Sequence, residues 1–257
     1  MVAVNLAFDE FGNENAPPLL ILHGFFASSR NWRQIAEKLS ANFHVYVLDM
    51  RNHGVSAHHP VMDYPAMAED VRQFIRRLGL EKVSLLGHSM GGKVAMCLAL
   101  ESPDLIAKLV VVDIAPVSYQ HSFDDLILAL KALPLTQLSN RKQAEVWLAE
   151  SIPELSYRQF LLQNLILNDG EYSWRINLDI FFRTAANIIA FPEQHGVSPF
   201  AGDALFIAGG DSNYFQPGNA DVLFPGAEIT IIPDAGHWVH VQNPEAFIAA
   251  VEAFCFK

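Results

Sequence analysis

Positive charge is the scarcest property of this chain: 17 Lys and Arg stand against 28 Asp and Glu in 257 residues, a formal net charge of -11. Such a surface repels polyanions, which argues against nucleic acid or an anionic membrane as a general partner. Cysteine is nearly absent. Cys97 and Cys255 each sit in an apolar helical pattern, so two buried free thiols are expected in place of a disulfide scaffold or metal ligands, in keeping with a reducing cytoplasm. No apolar run approaches the roughly 18 residues that suggest a membrane span. Met1 to Glu10 contain no Lys or Arg and end in Asp9-Glu10, unlike the basic start of a leader peptide. Cofactor signatures are missing too. There is no G-x-x-x-x-G-K-[ST], no G-x-G-x-x-G after a strand and no histidine pair at metal spacing on a helix, so neither a cofactor nor a metal is expected.

What is present is a rhythm. The hydrophobic fraction of 51% is ample for a buried core, and short apolar runs alternate with longer amphipathic ones, the pattern of strands and crossover helices in a mostly parallel sheet. Strands are expected at Val2 to Phe8, Leu19 to His23, Val45 to Leu48, Val83 to Leu86, Leu109 to Asp113, Ala204 to Ala208 and Glu228 to Ile232. Helical spacing marks Trp32 to Leu39, Met67 to Leu78, Gly91 to Leu100 and Pro244 to Phe254. Between roughly Ser118 and Gly196 the rhythm breaks. Runs such as Leu126-Ile127-Leu128, Phe160-Leu161-Leu162 and Leu165-Ile166-Leu167 have helical character, which predicts an α/β core from residues 1–117 and 197–257 with a helical lid at 118–196. Inserted between two strands, the lid would lie over the strands' carboxyl ends, where open α/β sheets hold their ligands.

One motif stands where that architecture gives it meaning. Gly87-His88-Ser89-Met90-Gly91 matches G-x-S-x-G directly after a strand and directly before a helix, so the turn would present Ser89 as a nucleophile at the helix's positive end. A serine hydroxyl needs a base, and of the ten histidines His237, in Asp234-Ala235-Gly236-His237-Trp238, lies on a loop at the same sheet edge, after the strand Glu228 to Ile232. His240 is expected to pack or face solvent, and His88 to lack the orientation for a base. His58, His59, His121 and His195 fall in expected loops, and His53 in a turn. Two backbone amides would hold the oxyanion: that of Met90, and that of Phe25 in Leu22-His23-Gly24-Phe25-Phe26 after the early strand.

With His23-Gly24, Asp49-Met50-Arg51-Asn52-His53-Gly54-Val55-Ser56, Gly87 to Gly92 and Gly236-His237-Trp238 in this order, the chain resembles an α/β-hydrolase over essentially its full length. The Asp49-to-Ser56 segment resembles the family's D-x-R-G-x-G-x-S turn. More narrowly, Asp113-Ile114-Ala115-Pro116-Val117 with the lid and Gly236-His237-Trp238-Val239-His240 is similar to bacterial YbfF-type esterases and their ABHD-class relatives. That resemblance implies a mostly parallel twisted sheet flanked by helices, and hydrolysis of small-molecule acyl esters, extending to acyl-CoA thioesters. The triad acid has two candidates. Relatives carry it in a pattern like G-x-x-D, and counting three from Gly209 lands on Ser212, one past Asp211; Asp113, ending the strand after the nucleophile helix, is favoured over Asp211. A carbon-carbon bond hydrolase or lyase, a perhydrolase-like enzyme, and a low-turnover ligand-binding member remain as alternatives sharing these residues. Phe25, Phe26, Phe181, Phe182 and Trp238 suggest an apolar acyl pocket, and Arg175 and Arg183 in the lid are candidates for a basic patch facing an anionic substrate.

Overall fold

Parallel strands buried on both faces read as continuous apolar runs, and the centre of this molecule is built from such runs. The computed structural model describes residues 2–193 and 196–257. Ahead of the insertion come β1 (Phe8–Phe11), β2 (Pro18–Leu22), β3 (His44–Leu48), β4 (Val83–His88) and β5 (Ile106–Val112), with α1 (Arg33–Leu39), α2 (Tyr64–Arg77) and α3 (Met90–Glu101) as crossovers. The insertion holds α4 (Asp124–Lys131), α5 (Arg141–Trp147), α6 (Leu155–Leu161), β6 (Leu165–Asn168), β7 (Glu171–Trp174) and α7 (Leu178–Ile189). After it follow β8 (Ala204–Gly209), β9 (Glu228–Ile232), α8 (Val239–Gln242) and α9 (Pro244–Cys255). The main sheet runs β1-β3-β2-β4-β5-β8-β9, parallel throughout except for β1, which pairs antiparallel with β3.

Alternation along each strand divides the core in two. Leu20, Leu22 and Leu85 join α2, α3 and the insertion on one face, while Leu19, Ile21 and Leu86 join α1 and α9 on the other. Beneath the carboxyl edge of the sheet, Arg51 and Asp70 form a fully buried pair, Nε to Oδ2 at 2.6 Å. Asp49 accepts the N–H of Ser29 at 2.7 Å and of Val55 at 2.8 Å, fastening the turn that follows β3 to the segment that leads into α1.

Two expectations are corrected. The strand predicted over Val2 to Phe8 begins only at Phe8, because the amides before it are taken by side chains: Val4 N–H donates to Asp70 Oδ1 at 2.7 Å and Ala7 N–H to Ser56 Oγ at 2.8 Å. The stretch Leu165-Ile166-Leu167, expected to be helical, is the first arm of a two-stranded hairpin with β7. Its turn is Asp169-Gly170, both at positive φ (50° and 85°), the backbone that a tight two-residue hairpin demands.

The insertion meets loops that leave the carboxyl ends of β2 and β5. Asn164 Nδ2 donates to Phe26 O at 2.8 Å, and Ala115 N–H donates to the Tyr119 hydroxyl at 3.0 Å. Phe123 and Phe181 close on Phe25, Phe181 stacking on it with centroids 4.6 Å apart.

Candidate active site

Ser89 occupies the junction of β4 and α3 with φ 52° and ψ -118°, a region that costs a side-chain-bearing residue on the order of 1–3 kcal/mol. The neighbouring glycines make it sterically feasible. A Cβ on Gly87 would lie 2.2 Å from Gly91 O, and one on Gly91 would lie 2.3 Å from Leu22 O. The turn is further held by Ser89 N–H donating to Val112 O at 3.0 Å. Strain at this one residue turns its side chain out of the sheet edge and into a cavity of about 630 Å³, which His237 also lines.

His237, in the loop between β9 and α8, meets Asp113 with Nδ1 to Oδ2 at 2.7 Å. Asp113 is itself fully enclosed, at the end of β5 with φ 50°. Its carboxylate also accepts Gly209 N–H at 3.0 Å and the Ser212 hydroxyl at 2.5 Å. An ionised carboxylate only accepts, so a hydrogen of His237 lies on Nδ1, and in the neutral imidazole it is Nε2 that carries the lone pair. Two further contacts hold this residue, one at its ring and one at its backbone. Tyr214 stacks on it at 4.2 Å between centroids, and His88 Nε2 donates to the backbone oxygen of His237 at 2.8 Å. Burial, reinforced by His237 and His240 nearby, holds His88 well below the usual histidine range, so it serves as a neutral donor. Asp211, the alternative acid, is exposed and makes no hydrogen bond to His237 among the described residues.

The backbone of Gly24 to Ala27 is fixed from several sides. Gly24 O accepts from His23 Nδ1 at 2.8 Å and from Ala27 N–H at 3.1 Å, and His23 Nε2 in turn accepts Met50 N–H at 3.0 Å. Because the peptide is planar and trans, a carbonyl held in one direction aims the next N–H in the opposite one, and that N–H belongs to Phe25. Asn164 secures the carbonyl of Phe26, which sits at φ 63°. Met90 opens α3, and its N–H, like that of Phe25, donates to no acceptor among the described residues. Both residues line the cavity.

Other residues fall elsewhere. His240 is buried and stacked on Trp32 at 3.9 Å, with burial bringing its pKa down to about 3. His53 is buried and donates from Nδ1 to Arg51 O at 2.9 Å. His58 reaches Arg175 O at 3.1 Å, and His121 lines the cavity that Ser89 and His237 share. His195 lies outside the described residues. Trp238, Phe25 and Phe26 border the cavity, whereas Phe182 is partly exposed and Arg183 borders no cavity described. Three contributors escaped the sequence reading: Ser212, Tyr214 and Lys93. The Ser212 hydroxyl occupies a place on the Asp113 carboxylate, from the very position where a G-x-x-D count arrives. Lys93 is buried one turn after Ser89, and its ammonium donates to Ile189 O at 2.7 Å and Ala190 O at 2.9 Å at the end of α7. The available signal was a single lysine in the otherwise uncharged run Met90 to Leu100. Among the described residues no group of carboxylates, histidines and cysteines could hold a metal ion, and no helix is long and apolar enough to cross a membrane.

Comparison with known proteins places these features in context. The family model for the alpha/beta hydrolase fold matches residues 17–244. The chain is 40% identical over 254 residues to the sn-1-specific diacylglycerol lipase ABHD11 of Mus musculus, covering 95% of this chain and 82% of that protein. It is 36% identical over 244 residues to esterase YbfF of Escherichia coli, covering 93% of both. Among solved structures, a marine microorganism esterase superposes with a TM-score of 0.93 at 39% identity, covering 98% of this chain and 100% of that one.

Proposed function

This chain belongs to the α/β-hydrolase family and is a carboxylic ester hydrolase, and from that premise we propose that it works through a covalent acyl-Ser89 intermediate. The observation that supports the reading most is the 2.7 Å contact of Asp113 with His237 Nδ1, which leaves Nε2 as a base on the cavity that Ser89 also lines.

In this mechanism Nε2 of His237 takes the Ser89 hydroxyl proton as Oγ attacks the ester carbonyl. The tetrahedral oxyanion is received by the N–H groups of Phe25 and Met90, each such donor being worth about 10²- to 10³-fold in rate. His237 then gives its proton to the departing alcohol, and the C–O bond breaks. Water enters, loses a proton to His237, and attacks the acyl carbon; collapse returns the proton to Ser89 Oγ and frees the acid. Asp113 stays ionised throughout and stabilises the imidazolium. Thioesters fit the same steps, with a thiol leaving in place of the alcohol.

The cavity supplies an apolar acyl site through Phe25, Phe26, Ile114, Phe160 and Trp238, and the segment at 118–196 acts as its lid. Hydrolysis of p-nitrophenyl esters from acetate to palmitate tests the reading. Turnover by the wild type that disappears in Ser89→Ala is expected, with a chain-length preference set by the cavity. A wild type inactive on every ester would point instead to carbon-carbon bond hydrolysis or ligand binding.

A further inference from the structure

Beside the catalytic cavity lies a second one of about 230 Å³, bordered by Ser28, Arg30, Asn31, Arg141, Gln163 and Arg175. The two are contiguous: Phe26, Arg30, Asn31 and Gln163 border both. In a chain of net charge -11, three arginines from three separate elements converge on this small space. Arg30 precedes α1, Arg141 opens α5, and Arg175 follows β7.

Their charges are not neutralised by the protein. Among the described residues none of the three forms an ion pair, and Arg30 and Arg141 are exposed at the cavity's rim. Arg141 donates one bond, to Leu165 O at 2.6 Å, and the side chains of Arg30 and Arg175 donate none among the described residues. Arg175 is half-buried, and burial together with Arg30 and Arg141 depresses its pKa. Asp49 offsets this in part, but both its oxygens already accept backbone N–H groups, from Ser29 and Val55. Like charges gathered in a partly enclosed space oppose one another unless an anion completes the set, and guanidinium forks match phosphate oxygens in pairs.

We propose that Arg30, Arg141 and Arg175 form an anion subsite that selects acyl esters and thioesters bearing a phosphate group remote from the scissile bond. The proposal rests on the ester-hydrolase reading above. The ligand spans both cavities, with its acyl carbonyl at Ser89 and its phosphate among the guanidinium groups. Two sources share this chemistry: the phosphate of an acylated glycerol phosphate, and the phosphates of a thiol carrier such as coenzyme A.

The test compares kcat/KM for 1-octanoylglycerol 3-phosphate with its neutral twin 1-octanoylglycerol, and for octanoyl-CoA with the octanoyl thioester of N-acetylcysteamine. The wild type should prefer the phosphate-bearing member of at least one pair by about tenfold or more, the preference shrinking as salt is raised. The pair that shows it identifies the source. Arg30→Gln/Arg141→Gln/Arg175→Gln should reduce the preference to within about twofold, while the distant surface variant Arg76→Gln retains it. If the triple variant does not fold, Arg175→Gln alone should still lower the ratio by several-fold. No preference in the wild type for either pair, or a preference that survives in the folded variants, overturns the subsite. Inactivity of the wild type on the neutral members and on p-nitrophenyl octanoate alike overturns the ester-hydrolase reading itself, a separate failure.

Discussion

Replacing Asp113 by asparagine changes one atom in an enclosed site where every hydrogen bond has a direction. The carboxylate of Asp113 receives three donors: Gly209 N–H, the Ser212 hydroxyl and His237 Nδ1. Asparagine retains one oxygen to accept from Gly209 N–H, but its NH2 group then faces Ser212 and His237. Two donors cannot meet, so His237 accepts at Nδ1, moves its hydrogen to Nε2, and no longer offers a base toward the cavity. The same substitution in a serine protease triad lowers kcat by about 10⁴-fold, and a loss of that order is expected here. At about 1.36 kcal/mol per decade this is about 5.4 kcal/mol of transition-state stabilisation. The assay is steady-state hydrolysis of a p-nitrophenyl ester by Asp113→Asn and Asp211→Asn side by side, with thermal unfolding confirming that both are folded. Asp211 is exposed and unattached to His237, so its variant should stay within about threefold of wild type. A loss below tenfold in Asp113→Asn, or a larger loss in Asp211→Asn, would refute the assignment of the acid.

Two further predictions concern buried charge. Lys93 is 1% exposed and burial lowers its pKa to about 7, whereas an unfolded lysine titrates near about 10.4. Between these values the unfolded chain binds more protons, so this residue makes stability rise with pH across that window, by up to about 1.4 kcal/mol per unit. Urea unfolding at pH 7, 8 and 9 should show that rise in wild type relative to Lys93→Met, and parallel curves would contradict it. Asp70→Ala strands the Arg51 guanidinium in a fully enclosed position and removes the acceptor of Val4 N–H, for a loss of about 3–5 kcal/mol in the same measurement. A loss below about 1 kcal/mol would show that water or another carboxylate replaces Asp70.

The parts of this molecule that were readable from sequence are those set by short-range sterics. Gly87, Ser89 and Gly91 specify a tight strand-to-helix turn within five residues, and the apolar strands buried on both faces announce a parallel sheet. The hairpin at β6 and β7 carried an equally local sign, Asp169-Gly170, but the triplet Leu165-Ile166-Leu167 has no periodicity to separate strand from helix, and its helical neighbours prevailed. At β1 the decisive partners, Asp70 and Ser56, lie 66 and 49 residues away, beyond any pattern in the first ten residues. The acid was ambiguous for a similar reason. Counting along the loop after β8 finds Ser212, and only the fold reveals that this hydroxyl and Asp113, 99 residues apart, converge beside His237. Lys93 was visible as an isolated charge in an apolar helix, yet its acceptors at Ile189 and Ala190 belong to the end of an insertion whose path the sequence does not dictate.

The most direct test of covalent catalysis by Ser89 is intact-mass and peptide-mapping analysis after titration with a fluorophosphonate. One phosphonyl group per chain is expected, located on Ser89, with ester hydrolysis declining in proportion to its incorporation and no such adduct in Ser89→Ala. Hydrolysis that persists after Ser89 is fully modified, or that continues at the wild-type rate in Ser89→Ala, would contradict covalent catalysis by Ser89.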